Sequence, residues 1–170
     1  MLKTIAGLVP FAIVLSGIGV GIWWLLSREM ALGRWVLGGF LVAHGLIHFL
    51  FVVPQPATAA GGSDGPEWPF DMARSWLVTG AGLDLNVVRV IGVALIGVVA
   101  IGFVLAGLAT VGIVVPSGWW QVLVVASAAA SIVLLALFFD PQLVLGLAID
   151  VVLLWVVLAS VWAPTAAVSS

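Results

Sequence analysis

The chain of 170 residues contains no cysteine and no tyrosine, and only 7% of its residues are charged. The missing cysteine excludes disulfides, thiolate metal sites, CxxC redox pairs and cysteine nucleophiles. The missing tyrosine removes phenol-based radical and proton chemistry. Five basic and seven acidic side chains leave a net charge of −2, so there is no basic surface for nucleic acid or anionic lipid. We therefore expect no nucleic-acid partner.

Hydrophobic residues make up 64% of the chain, and the mean hydropathy is +1.37. A soluble fold of this length needs far more charge on its surface, whereas a membrane helix needs about 20 consecutive apolar residues. The sequence predicts one all-α domain over residues 1–170, a polytopic helix bundle in the lipid bilayer. The plasma membrane of a bacterium or archaeon is the expected location. The predicted spans are residues 5–26, 33–53, 87–113, 118–139 and 143–162.

A long connection covers residues 54–86, between the second and third spans. Its first part is small and polar, and its second part, EWPFDMARSWLV, mixes aromatic and charged residues. That mixture predicts a short amphipathic helix at the membrane surface. The connection between the first two spans is short, and Arg28 and Arg34 lie on its side of the membrane, which favours the cytoplasmic side for it. The long loop 54–86 is then expected to be extracytoplasmic.

Small residues predict close helix packing. Gly17 and Gly21 form a GxxxG pair in the first span, and residues 126–131 read ASAAAS. Glycines of the third span recur every five residues and so turn around the helix, which predicts several neighbours around a central helix. These glycines are Gly92, Gly97, Gly102, Gly107 and Gly112. Such surfaces predict a tight bundle or a contact with another subunit.

The polar residues inside the predicted spans are the strongest indication of function, because ionisable groups are costly in hydrocarbon. His44 and His48 lie one turn apart on one face of the second span. At 1.5 Å per residue, His44 and Asp150 both lie about 13 Å from the same membrane face, and Ser131 lies about 12 Å from it. This matching depth predicts a His44–Asp150 pair. Arg89 lies nearer that face, and pairing with Asp84 or reaching towards water is its expected role.

Several functions fit this constellation. His44, His48 and Asp150 could bind a divalent metal such as iron, zinc or copper. His44 or His48 could instead ligate a tetrapyrrole, with Gly38 or Gly45 providing room. The same residues could relay protons or bind a polar ligand, as in a small transporter. A structural hydrogen bond between helices, with Ser131 included, is the competing interpretation.

No nucleotide-binding, serine-hydrolase or intramembrane-protease motif is present in the sequence. The leading hypothesis is therefore a non-enzymatic accessory or binding subunit of the membrane, packed against itself or against other membrane subunits. A metal- or tetrapyrrole-binding protein and a proton-relay component are the alternatives.

Overall fold

A computed structural model describes residues 31–52 and 70–159, and this part of the chain is helical without any strand. Short 3-10 turns at His48–Phe51, Met72–Arg74, Ser117–Trp119 and Pro141–Leu143 join or extend the helices. The prediction of an all-α bundle is confirmed. The α-helices are α1 (Ala31–Ile47), α2 (Trp76–Thr79), α3 (Leu85–Val111), α4 (Trp120–Leu137) and α5 (Val144–Leu158).

Four of the described helical segments are long and apolar enough to cross a membrane. Each begins one or two residues before the predicted span and ends within a few residues of it. The predicted first span, residues 5–26 with its GxxxG pair, lies outside the described residues. The four segments are Leu32–Phe51, Leu85–Val111, Ser117–Leu137 and Pro141–Leu158.

Local sequence signals explain most of the helix ends. The Asp84 carboxylate accepts hydrogen bonds from the amides of Asn86 and Val87 and so caps α3. Gly112 ends α3 in the left-handed conformation, with φ of 75°. Asp140 caps the turn that leads into α5. Ser117, by contrast, lies inside a 3-10 turn whose N-cap residue has no side-chain hydrogen bond.

The four long helices pack in chain order, α1 on α3, α3 on α4 and α4 on α5. Glycines set the distance between α1 and α3. A Cβ atom on Gly107 would lie 2.6 Å from the Gly38 carbonyl oxygen, and one on Gly45 would lie 2.8 Å from the Ala100 carbonyl oxygen. On another side of α3, a Cβ on Gly102 would overlap the Ser127 hydroxyl of α4. The prediction that the α3 glycines admit several neighbours holds for Gly102 and Gly107, whereas Gly97 and Gly112 have no described atom within 4 Å of a Cβ position.

The predicted amphipathic segment does not form one helix over its described part, residues 70–78. A 3-10 turn and the four-residue α2 meet at Ser75, whose backbone is extended (φ −54°, ψ 140°). The Ser75 hydroxyl accepts a hydrogen bond from the Leu77 amide and so competes with a continuous helix. Phe70 and Leu77 are buried, whereas Arg74 and Trp76 are exposed, so the segment is amphipathic.

Candidate functional site

The predicted His44–Asp150 pair is present and joins α1 to α5. His44 Nε2 lies 3.1 Å from Asp150 Oδ1 across 106 residues of sequence. Because α1 and α5 pack mainly on α3 and α4 respectively, this contact spans the bundle rather than joining two neighbouring helices. Asp150 is fully buried, and His44 is 7% exposed. The pair is therefore an interior polar contact in an apolar bundle.

His48 forms a second polar contact, towards α4. Its Nδ1 donates to the His44 carbonyl oxygen at 2.9 Å, one turn earlier on α1. A carbonyl oxygen only accepts, so the neutral ring carries its hydrogen on Nδ1 and leaves Nε2 as an acceptor. The Ser131 hydroxyl lies 3.1 Å from Nε2 and donates to it. These bonds fix the tautomer and the orientation of His48.

Aromatic rings surround the two imidazoles. The Phe103 ring of α3 lies edge-on to His44, with centroids 4.8 Å apart and an angle of 81° between the planes. The same ring stacks on His48 at 6.3 Å. Phe40 stacks on His44 at 5.9 Å, and Phe51 lies edge-on to His48 at 5.5 Å. The polar cluster, which comprises His44, His48, Ser131 and Asp150, is thus enclosed by apolar walls.

Within the described residues, one carboxylate oxygen of the polar cluster is buried without a hydrogen bond. Asp150 Oδ2 is buried and makes no hydrogen bond within the part of the chain that the structure describes. Buried carboxylate oxygens are normally satisfied, because an unmet polar group in an apolar interior costs about 1–3 kcal/mol. The polar cluster therefore binds its carboxylate through one oxygen and leaves the other unpaired.

Arg89 is the one predicted site residue that lies outside the polar cluster. It is exposed on α3, and its predicted partner Asp84 instead caps that helix. Arg34, near the start of α1, places its guanidinium carbon 5.9 Å from the centre of the Trp35 ring.

The metal prediction gains no support from this geometry. Among residues 31–52 and 70–159, no group of three or more His, Cys, Asp or Glu side chains could hold a metal ion. Both ring nitrogens of His48 are engaged, and His44 Nε2 faces the carboxylate.

The room expected for a tetrapyrrole is also occupied. A Cβ on Gly38 would lie 2.9 Å from the Gly107 carbonyl oxygen, and one on Gly45 would lie 2.8 Å from Phe103 Cβ. These glycines therefore bring α3 close to α1, and α3 fills the space proposed for the macrocycle.

Sequence reasoning found the four polar residues but not the aromatic rings around them. Phe103 stands in a helix that is apolar on all sides, so no contrast in polarity marks it. Comparison with known proteins adds nothing further, since no family model, curated protein or solved structure matches the chain. Function has to be argued from the geometry of the polar cluster.

Proposed function

We propose that the protein is a non-enzymatic integral membrane subunit whose His44–Asp150 pair takes up and releases a proton. This proposal joins two hypotheses from the sequence, a membrane accessory or binding subunit and a proton-relay component. The observation that carries the proposal is the Oδ2 atom of Asp150, which has no hydrogen bond within the described residues. It belongs to an ionisable side chain that is not exposed to solvent. Ionisable residues at such positions typically mark proton or ion pathways.

A purely structural contact would favour a different arrangement. Buried polar networks stabilise a fold best when every donor and acceptor is satisfied. Asp150 uses Oδ1 alone, although Asn or Ser could supply that single hydrogen bond without an ionisable carboxyl group. The unpaired oxygen is an additional acceptor for a proton or for a water molecule that carries one. The half-satisfied carboxyl group therefore supports a chemical role over a structural one.

The hydrogen bonds divide the polar cluster into two branches. One links His44 to Asp150, and the other links His48 to Ser131. The connection between the branches is the His44 carbonyl oxygen, which accepts from His48 and carries no transferable proton. The cluster thus suits one proton that is shared by the His44–Asp150 pair. Ser131 and the His44 carbonyl oxygen hold the neighbouring His48 ring in place.

The charged surroundings of the pair are simple. His48, in the 3-10 turn that extends α1, is the ionisable neighbour. Ser131 is the polar neighbour on α4, and α3 contributes the Phe103 ring. Within the described residues, the Asp71–Arg74 ion pair at 3.4 Å is exposed and lies apart from the polar cluster. We therefore expect the proton equilibrium to depend on the His44–Asp150 pair itself.

Association with other membrane subunits remains a prediction. Gly38, Gly107 and Ser127, which are among the small residues that favour close helix contact, are used for packing inside the chain. The GxxxG pair of the first predicted span lies outside the described residues. Copurification from native membranes is the direct test, and a protein that purifies alone as a monomer would contradict the subunit role.

The chain has two histidines in all, which makes the proton test unusually direct. Selective ¹⁵N labelling of histidine in the full chain, reconstituted in lipid bilayers, gives four ring-nitrogen signals. We expect the His44 signals to change with pH in one step, while His48 keeps its Nδ1-protonated form over that step. Asp150→Asn should remove the His44 step from the pH range in which the protein is folded, because an amide carries no negative charge to balance a protonated imidazole in an apolar interior.

Arg89→Gln is the matched control, because it removes an ionisable but exposed side chain outside the polar cluster. The His44 step should persist in this variant. If the His44 signals stay constant over the whole pH range in which the wild-type protein is folded, the pair binds no exchangeable proton and the proposal is wrong.

A further inference from the structure

Residues 70–79 cover one end of the bundle, and we call this segment the cap. The Ser75 hydroxyl donates to the Leu137 carbonyl oxygen at 2.7 Å, and Trp76 Nε1 donates to the Ala136 carbonyl oxygen at 3.1 Å. Carbonyl groups in the last turn of a helix lack partners within the helix. The cap thus binds to the C-terminal turn of α4 through acceptors that the helix itself leaves free.

An aromatic stack joins the cap to the helices. The Phe70 ring lies parallel to the Phe51 ring, with centroids 4.5 Å apart, and it contacts Phe138 at 5.0 Å. Phe70 is 5% exposed. On its other side, Phe51 lies edge-on to His48. The three rings therefore stand between His48 and the end of the bundle that the cap covers.

The cap also lies close to α3. A Cβ on Gly92 would lie 3.1 Å from Met72 Cε and 3.0 Å from the Phe138 ring. The cap, the end of α4 and the beginning of α3 thus meet in one packed layer. This layer and the end of α1 lie on the same side of the polar cluster.

We infer that the cap is a gate, in which the Phe51–Phe70–Phe138 stack keeps water from the polar cluster and opening of the cap admits it. The purpose of this gate rests on the proposed proton site, since a buried proton site needs a route to water. The cap consists of one 3-10 turn and one turn of α-helix, with side-chain bonds to α4. Short segments without a long backbone hydrogen-bond ladder open locally at lower free energy than long helices.

The test uses the absence of cysteine from the chain. Ser131→Cys places one thiol in the polar cluster, and a water-soluble methanethiosulfonate reagent labels it in the reconstituted full chain. We expect slow labelling compared with Thr79→Cys, a reference thiol on the exposed side of the cap. Adding Phe70→Ala should accelerate labelling of the buried thiol about tenfold or more, since the loss of two ring contacts shifts the opening equilibrium by that order.

Phe139→Ala is the matched control, because Phe139 is 58% exposed and lies beside the stack without belonging to it. Labelling should stay at the rate of Ser131→Cys alone. Ser75→Ala weakens the attachment of the cap less severely, because it keeps all three rings and removes only side-chain bonds such as that to Leu137. This variant replaces Phe70→Ala if the latter fails to fold. Equal rates with Phe139→Ala and with either cap variant would overturn the gate, and so would a buried thiol that reacts as fast as the exposed reference.

The gate and the proton site fail in different ways. Faster labelling with an open cap, together with His44 nitrogen signals that ignore pH, retains the gate as a water barrier and refutes the proton site. A pH-dependent His44 step that is lost in Asp150→Asn, together with labelling that ignores the cap, refutes the gate alone.

Discussion

Removing the two partners of the His44–Asp150 pair one at a time should destabilise the protein by unequal amounts. His44→Leu leaves a fully buried carboxyl group with both oxygens unpaired, because Oδ2 has no partner even in the wild-type protein. Asp150→Leu removes the hydrogen-bond partner of His44 Nε2, on a residue that is 7% exposed. The double variant removes both polar groups and leaves neither of them unpaired.

The expected magnitudes follow from these differences. An unpaired polar nitrogen costs about 1–3 kcal/mol, which sets the loss for Asp150→Leu. An uncompensated buried carboxylate costs about 3–5 kcal/mol, which sets the loss for His44→Leu. Polar contacts between membrane helices contribute about 0.6 kcal/mol on average and up to about 1.7 kcal/mol, so the double variant should lose less than about 2 kcal/mol. It should therefore be more stable than His44→Leu alone.

Reversible unfolding of the reconstituted protein, followed by tryptophan fluorescence, measures these free energies. Ala43→Leu and Val151→Leu are the matched controls, since each introduces a leucine at an exposed neighbour of the altered residue. Both should unfold like the wild-type protein. If the double variant is no more stable than His44→Leu, the loss comes from packing around leucine and not from an unpaired carboxyl group, and the reasoning is refuted.

Three further predictions test the packing and the helix ends by the same unfolding measurement. Gly45→Leu should cost at least about 1–3 kcal/mol through overpacking, because its Cβ would meet α3 at 2.8 Å, whereas Gly39→Leu, with nothing within 4 Å, should be neutral. If Gly45→Leu and Gly39→Leu lost the same free energy of unfolding, α1 would not contact α3 at Gly45. Asp84→Ala should lose about 0.5–2 kcal/mol of helix capping, and Asp84→Asn should retain most of it. Val114→Gly should stabilise the protein by about 1 kcal/mol, since Val114 has φ of 64°; destabilisation would contradict the left-handed conformation.

Much of the polar cluster could be predicted from sequence because helices have a fixed rise per residue. Once the spans are counted, the depth of each polar residue follows, and the matching depths of His44 and Asp150 led directly to their pairing at 3.1 Å. Their scarcity also helped, because few other polar groups in the spans compete as partners. Ser131 bonds to His48 and not to the His44–Asp150 pair. This choice of partner depends on the rotation of each helix about its axis, which the depth of a residue in the membrane does not determine.

The packing was harder to predict. The ASAAAS run was equally consistent with a contact to another subunit, yet Ser127 and Ser131 both face the interior of this chain. A helix that is apolar on all sides has no polar face and no apolar face. The pattern of polar residues therefore does not show which side of such a helix packs against a neighbour. The prediction of a short amphipathic helix over residues 67–78 was wrong within its described part, since the Ser75 hydroxyl accepts from the Leu77 amide and begins a separate helix there.

The span of 106 residues between His44 and Asp150 has a consequence for biosynthesis. A ribosome completes α1 long before it completes α5, so a newly inserted α1 carries an imidazole whose partner has not yet been translated. Each intermediate in membrane insertion therefore contains an unpaired polar side chain in α1 until α5 arrives. Chains that stop before residue 150 lack the aspartate and keep His44 without this partner.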